Sequence, residues 1–443
     1  MIKAEEAYEA GYLKAATAGS GRGRSAEVTG REGGAVKHPI VRELLTAEDE
    51  LIRQAVRAFV DSEIMPVRQQ LDEDKDHVLI DRISDKLRAM GFQRSILPER
   101  YGGLPDRSVT GMGVVLEEIA RGDIGLAVSL GCTAWCARPA VLANNEAVLR
   151  KLAAVFCGDE LRRGCFAMTE PDRGCDIENP ALYGKLISTR ATLDGDEWVL
   201  NGSKRFPSNA GISAYYCVVC TTDPNLGDEG IALIYVSHPS EGLSFGKFEN
   251  KAGMQADRNC DIYLDNVRVP KENRAAGPGE DARLLHVNLT IGRIASAAMA
   301  VGSAQGAFET VLEYTKDRVV AGKPIREHSI CAGMLADMAI GIETARAYYL
   351  TAARMFDHPE TYGPQESFEH LSRGSIAKVY GAEVAIMVTN KAMELMGSYG
   401  YTREYNVEKY WRDCKEIQLW EGGAQLGRFD VVRGYYDFQM GNR

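Results

Sequence analysis

The stretch Ile187-Ser-Thr-Arg-Ala-Thr-Leu-Asp-Gly-Asp-Glu-Trp-Val-Leu-Asn-Gly202 decides how the chain is organised. Residues 187–193 and 197–200 are short runs rich in β-branched and apolar residues. Asp194-Gly195-Asp196 separates them and Asn201-Gly202 follows, so the segment reads as strand, turn, strand, turn. The same texture begins near Gly164 and continues through the apolar run 215–221 and the strand candidates 231–236 and 261–269. The reading is a small, mostly antiparallel β-domain over residues 164–275.

On both sides of this island the spacing is helical. Upstream, Thr46 has the character of an N-cap. Glu48 and Asp49 lie in the first turn and Leu51, Val56, Phe59 and Val60 form the apolar series behind it. Pro66 closes that helix. A second helix is expected over 80–90, then a loop at 97–105 and further helices to about Ala154. Downstream, helical periodicity returns over 284–316, 334–356 and 372–396, and a last helix begins near Ala424. The Ala- and Gly-rich face 295–306 suits close packing of helices. Residues 1–40, with Ala-Gly-Ser-Gly-Arg-Gly-Arg-Ser at 18–25, read as a flexible arm with a short helix at 4–16. The expectation is an α+β multidomain chain: a helical N-terminal domain (41–163), the β-domain (164–275) and a helical bundle (276–443).

The 443 residues suffice for two or three domains, and 45% hydrophobic with 26% charged residues is ordinary for a soluble globular protein. A net charge of −10 argues against nucleic acid or an anionic membrane as partner. No apolar run approaches the roughly 20 residues that span a bilayer, and no signal segment opens the chain. The ten cysteines are scattered without metal-ligand spacing, which points to reduced thiols in a cytoplasmic protein and to no metal site.

Four segments carry chemistry: residues 165–176 (Cys-Phe-Ala-Met-Thr-Glu-Pro-Asp-Arg-Gly-Cys-Asp), 201–209 (Asn-Gly-Ser-Lys-Arg-Phe-Pro-Ser-Asn), 317–325 (Asp-Arg-Val-Val-Ala-Gly-Lys-Pro-Ile), and 397–401 (Gly-Ser-Tyr-Gly-Tyr) followed by Arg412-Asp413 and Gln418-Leu-Trp-Glu-Gly-Gly-Ala-Gln425. Together, in this order, they resemble the acyl-CoA dehydrogenase family over about residues 45–440. The resemblance implies that fold, with a C-terminal four-helix bundle, non-covalent FAD, an acyl-CoA substrate, a homotetramer or dimer, and an electron-transferring flavoprotein as acceptor.

It also implies roles. The family pattern aromatic-Glu-Gly-Thr makes Glu421 the base that removes the thioester α-proton, with Trp420 and Gly422 at the substrate. Enclosure against an aromatic ring raises a carboxylate's proton affinity. The family's other position for the base falls on Gly292, which carries no carboxylate. Arg293 is implied to touch coenzyme A, and Cys175 stands where the family has a serine near the thioester. Phe166, Met168 and Thr169 are implied to lie along the flavin ring, with Phe206 and Ser208 in place of the usual Trp and Thr. Pro207 lacks the N–H of the residue usually between them.

The adenosine end departs further. Arg318, Gly397 and Gln425 match, but Ala321, Ser329, Glu394, Ser398 and Gly423 replace the usual Phe, Gln, Gln, Gly and Thr. This thinning leaves open a half-site or non-catalytic subunit of a hetero-oligomer; an acyl-CoA oxidase is the third reading. No arginine stands in 123–129, which disfavours a dicarboxylic substrate, although Arg138 lies nearby. Trp420 and the small run 130–133 suggest a short, branched or cyclic acyl group.

Overall fold

The computed structural model describes residues 44–435, apart from 106–107 and 181–182. The arm expected over 1–40, with its short helix, lies outside the described residues. Only elements that position the site are labelled below, in chain order.

The first helix, α1 (Ala47–Phe59), starts as its sequence requires: Thr46 and Asp49 form a reciprocal capping box. It passes through a π turn, Val60–Ile64, and a 3-10 turn, Met65–Val67, into a further helical turn, Arg68–Glu73, so Pro66 interrupts the helix without closing it as expected. α2 (Val78–Ala89) precedes α3 (Val109–Gly122), α4 (Ile124–Leu142) and α5 (Glu146–Phe156). Ser108, Asp123 and Asn145 cap the last three with side-chain oxygens.

The β-domain comprises β1 (Gly164–Ala167), β2 (Arg190–Asp194), β3 (Glu197–Lys204), β4 (Tyr215–Thr221), β5 (Ile231–Ser237), β6 (Leu243–Phe245) and β7 (Ile262–Pro270). Their order is β1-β4-β2-β3-β7-β6, with β5 on the other side of β4. β2–β3, β3–β7, β4–β5 and β6–β7 are antiparallel, while β1 and β2 each meet β4 in parallel, so the sheet is mixed. Asn201-Gly202, expected as a turn, lies inside β3. There the pairing with β7 slips between Leu200 and Gly202, and Gly202 takes φ +149°. A glycine absorbs this irregularity without breaking the strand.

Three long helices follow: α6 (Glu280–Asp317), α7 (Ser329–Asp357) and α8 (Phe368–Met396). The shorter α9 (Glu408–Ile417) and α10 (Gly423–Arg433) complete the bundle. The central helix is α6, packed against α3, α4, α7 and α8, and its small residues let neighbouring backbones approach. A Cβ on Gly302 would meet the Glu117 carbonyl oxygen at 2.0 Å. Helices α4 and α6 are each long and apolar enough to cross a membrane by length and composition, contrary to the expectation drawn from unbroken runs. Their most apolar windows are 61% and 100% buried inside the protein, so the protein's own core takes up that apolarity.

Candidate active site

A cleft with about 1000 Å³ of empty space, its solvent-open mouth included, lies where α4, α6, the β-domain and the loop before α10 converge. Its walls differ in chemistry. One carries Trp135, Leu289, Gly292, Ala295 and Ser296 of α4 and α6, with Trp420 and Glu421 beside them. The other carries Phe166, Met168, Thr169, Phe206, Pro207 and Ser208.

Glu421 sits on an unusual backbone. Its φ is +49°, and Gly422 and Gly423 follow at +76° and +67°. Left-handed backbone strains a glutamate and not a glycine, so it persists only where the surroundings hold it. Lys378 of α8 does so: its ammonium donates to the Trp420 carbonyl and, at 3.2 Å, to that of Glu421. Trp420 Nε1 donates to Ser296 Oγ at 2.9 Å, and Ser296 Oγ donates to Glu421 Oε2 at 2.9 Å. One hydroxyl on α6 thereby fixes both neighbouring side chains. Gly292 makes the arrangement possible, because a Cβ there would lie 2.3 Å from Glu421 Oε1. Burial pushes the Glu421 carboxyl above its ordinary range, against the opposing pull of Lys378, Arg293 and the Ser296 hydroxyl.

Behind Glu421 lies a cluster of buried charges. Arg293 is 1% exposed and pairs with Asp430 of α10, while its Nη1 also donates to Ser375 Oγ at 2.6 Å. The expected contact of Arg293 with coenzyme A therefore gives way to a buried ion pair; the guanidinium is not among the cavity-lining groups. Glu178, 8% exposed, does line the cavity. Burial lowers Lys378 to about 8.

The β-side wall is built from the second and first motifs together. Lys204 donates to the Met168 carbonyl at 2.9 Å and pairs with buried Glu170 at 2.9 Å. Glu170 in turn accepts from the N–H groups of Ser188 and Thr189. These contacts lock residues 168–170 onto β2 and β3. Phe206 takes φ +57° and leaves its ring 60% exposed at the cavity mouth. Ser208 Oγ donates to Asp257 Oδ2 at 2.8 Å, and Asp257 is buried. An uncovered aromatic ring, flat apolar side chains and two hydroxyls on one wall fit a planar, polar-edged ring system.

The remaining expected site residues lie elsewhere. Cys175 is exposed and outside the cavity lining. Arg318, Gly397 and Gln425 are exposed too. Arg318 sits over the Tyr399 ring at 5.8 Å, and Ala321 takes φ +47° in the hairpin Val319–Val320/Lys323–Pro324. Sequence reasoning missed Ser296, Lys378, Glu178 and Asp257. Only Lys378 left a signal, a lone cation on a helix face otherwise filled by Ala377, Gly381 and Ala382.

Models of the acyl-CoA dehydrogenase N-terminal, middle and C-terminal domains match residues 46–157, 165–267 and 282–435. Cyclohexane-1-carbonyl-CoA dehydrogenase of Syntrophus aciditrophicus (strain SB) is 31% identical over 385 residues, covering 87% of this chain and 96% of that protein. Butyryl-CoA dehydrogenase from Megasphaera elsdenii superposes with a TM-score of 0.79 at 30% identity, over 88% of this chain and 98% of that one. A glutaryl-coenzyme A dehydrogenase glutaryl-CoA complex also gives 0.79, at 29% identity over 88% and 95%.

Proposed function

The chain belongs to the acyl-CoA dehydrogenase family and is an FAD-dependent enzyme of that class, and we propose that Glu421 is its base, acting on a short, branched or cyclic acyl-CoA. The observation that carries this reading is the Glu421 carboxylate itself. It is held on a left-handed turn, seated over Gly292, oriented by Ser296 and turned into a cavity whose opposite wall suits the flavin ring.

In this reading Phe166, Met168, Thr169, Phe206 and Ser208 hold the isoalloxazine. Bound FAD supplies the acceptor for the β-hydride. The protein does the rest. The acyl group lies between the two walls, and Trp135, Leu289, Ala295 and Trp420 exclude water from its α-carbon. Glu421 takes the α-proton at a carboxylate oxygen. Its raised proton affinity makes it a stronger base than a carboxylate in water. Ser296 keeps Oε2 in place and leaves Oε1, beside Gly292, to receive the proton.

Acyl size follows from the shape of the end wall. A second cavity of about 680 Å³ adjoins the first and shares Met112, Leu116, Gly131, Ala134 and Arg138 with it. Apart from Arg138 these are apolar or small, which suits a compact hydrocarbon group. The relative named for cyclohexane-1-carbonyl-CoA is consistent with a ring there. The acceptor of the electrons is taken to be an electron-transferring flavoprotein.

The test is Glu421→Gln, which keeps the side-chain shape and removes the proton acceptor. Turnover should fall by at least about 10²–10⁴-fold, while FAD content and the spectral shift on binding a product-like acyl-CoA stay. Undiminished bleaching of the flavin by a good substrate would place the base elsewhere.

A further inference from the structure

Glu178 enters the cavity from the segment between β1 and β2, and nothing said so far gives it work. Its carboxyl is 8% exposed, and its Oε2 is buried without a hydrogen-bond partner. Across from it, Arg293 Nε and Nη2 are also buried and unpartnered. Orphaned donors and an orphaned acceptor in one place are rare in native proteins, and ordered water between them is the usual resolution.

The charges that face Glu178 come from three elements and one loop. From α6 comes Arg293, already engaged by Asp430; His286 on the same helix is held neutral by burial, pushed down to about 4. Asp430, from α10, is further neutralised by Arg433 at 2.9 Å. From α8 comes Lys378, whose ammonium donates to the carbonyls of Trp420 and Glu421. From the loop comes Glu421. With Asp430 shared between Arg293 and Arg433, Lys378 and the unpartnered edge of Arg293 face the two carboxyls, Glu178 and Glu421. The Ser296 hydroxyl stabilises the anion of Glu421, and Glu178 has no comparable donor. Of the two, Glu178 is the one that keeps a proton.

We propose that Glu178 is a positioning residue for the base: a second titrating carboxyl of the active site, which strengthens Glu421 as a proton acceptor when it ionises. Resting as it does on Glu421 being the base, this deepens the reading above. Burial raises Glu178 to about 7, with Arg293 opposing and Glu421 adding to the rise. Below that pH a neutral Glu178 leaves Glu421 as an isolated carboxylate beside Lys378. Above it the two like charges face each other beside Lys378 and Arg293, and Glu421 binds a proton more tightly. The rate of α-proton removal should therefore climb in two steps as pH rises toward about 8, above which Lys378 loses its own proton. The first follows Glu421 itself and the second follows Glu178.

The experiment is stopped-flow bleaching of the FAD-loaded enzyme by excess butyryl-CoA from pH 5 to 9, for the wild type, Glu178→Gln, Glu178→Asp and Glu421→Gln. The expected result is two steps in the wild type, loss of the step near pH 7 in Glu178→Gln, and a displaced second step in Glu178→Asp. A step near pH 7 that survives in Glu178→Gln overturns the proposal. Should Glu178→Gln not fold, Glu178→Asp decides alone, and an undisplaced step overturns it. Thermal unfolding of the unliganded protein gives a readout independent of turnover. A folded-state proton affinity above that of the unfolded chain means stability falls as pH rises from about 4.5 to about 7. That fall should be smaller in Glu178→Gln, and an unchanged fall counts against the proposal. If Glu421→Gln still bleaches, the base assignment fails. If Glu421→Gln is inert and Glu178→Gln follows the wild-type profile, only the role of Glu178 fails.

Discussion

The two regions that the family resemblance assigns to the cofactor and its substrate are built differently. Around Glu421 the groups that hold the carboxylate are set by the buried interior: Gly292 by its missing Cβ, Ser296 by Trp420, and Arg293 by Asp430. Around Arg318, Gly397 and Gln425 the side chains are exposed, and Glu394 accepts a hydrogen bond from Asn390 at 2.7 Å. The first end is rigid because burial leaves its charges no alternative. The second end has groups in place without walls around them. Where burial makes the site, substitution should strike stability and chemistry together; where it does not, substitution should strike affinity alone.

The sharpest way to break that contrast is Arg293→Met. The side chain keeps its bulk and loses its charge, stranding Asp430 in the core with only Arg433 at the edge. Removing one partner of a buried pair costs about 3–5 kcal/mol, read as a lowered urea midpoint. A midpoint unchanged from wild type would mean that the cluster is solvated after all. Next comes Gly292→Ala, whose methyl would lie 2.3 Å from Glu421 Oε1. The carboxylate must move, and a displacement of that order costs about 10²-fold in kcat. FAD content should be untouched. Full activity in this variant would show that Oε1 does not take the proton.

What was legible in the sequence follows the same line. Glu421 was singled out by its match to the family pattern aromatic-Glu-Gly-Thr, which is a local signal, and the helix–sheet–helix order could be read because periodicity is local too. Arg293 was misread because its partner Asp430 lies 137 positions away and only the packing of α6 against α10 joins them. Glu178 and Asp257 were missed because acids in irregular segments look like solvated loop residues until the fold buries them. Asn201-Gly202 has the composition of a turn, and only the pairing of β3 with β7 keeps it within a strand. Ser208, expected at the cofactor, lines the cavity, and its hydroxyl proton goes to Asp257.

Acid should affect the buried parts of the molecule before the exposed end. Burial lowers His77 and His286 to about 4, whereas an unfolded histidine titrates near ~6.5. Between those values the unfolded chain binds more protons, so the stability these residues contribute is full above about pH 6.5 and is lost as pH falls toward 4. Glu178, whose burial favours its protonated form, works in the opposite sense over the same window, so the histidine contribution is read by difference: relative to wild type, the melting temperature of His286→Asn should rise as pH falls from about 6.5 toward 4. Parallel profiles for the two proteins would show that this ring is not neutral in the folded state.

The smallest effect belongs to the exposed end, and it tests whether that end is a cofactor site at all. Arg318 follows directly after α6, its guanidinium over the Tyr399 ring and open to solvent. Exposed charged contacts are worth roughly 0.2–1 kcal/mol because water competes for both partners. Arg318→Ala should therefore weaken FAD binding by no more than about fivefold, with the urea midpoint unchanged. If a second copy of the chain walls this end in, as in a homo-oligomer, the same arginine becomes less exposed and the loss grows. FAD release would then depend on protein concentration, since diluting the protein would open the site. Flavin fluorescence on serial dilution of wild type and Arg318→Ala separates the cases. A modest loss at every concentration describes an open site within one chain. A larger loss that appears only on dilution describes a site shared between copies. No loss at any concentration would remove Arg318 from the cofactor site and confine FAD recognition to the buried end.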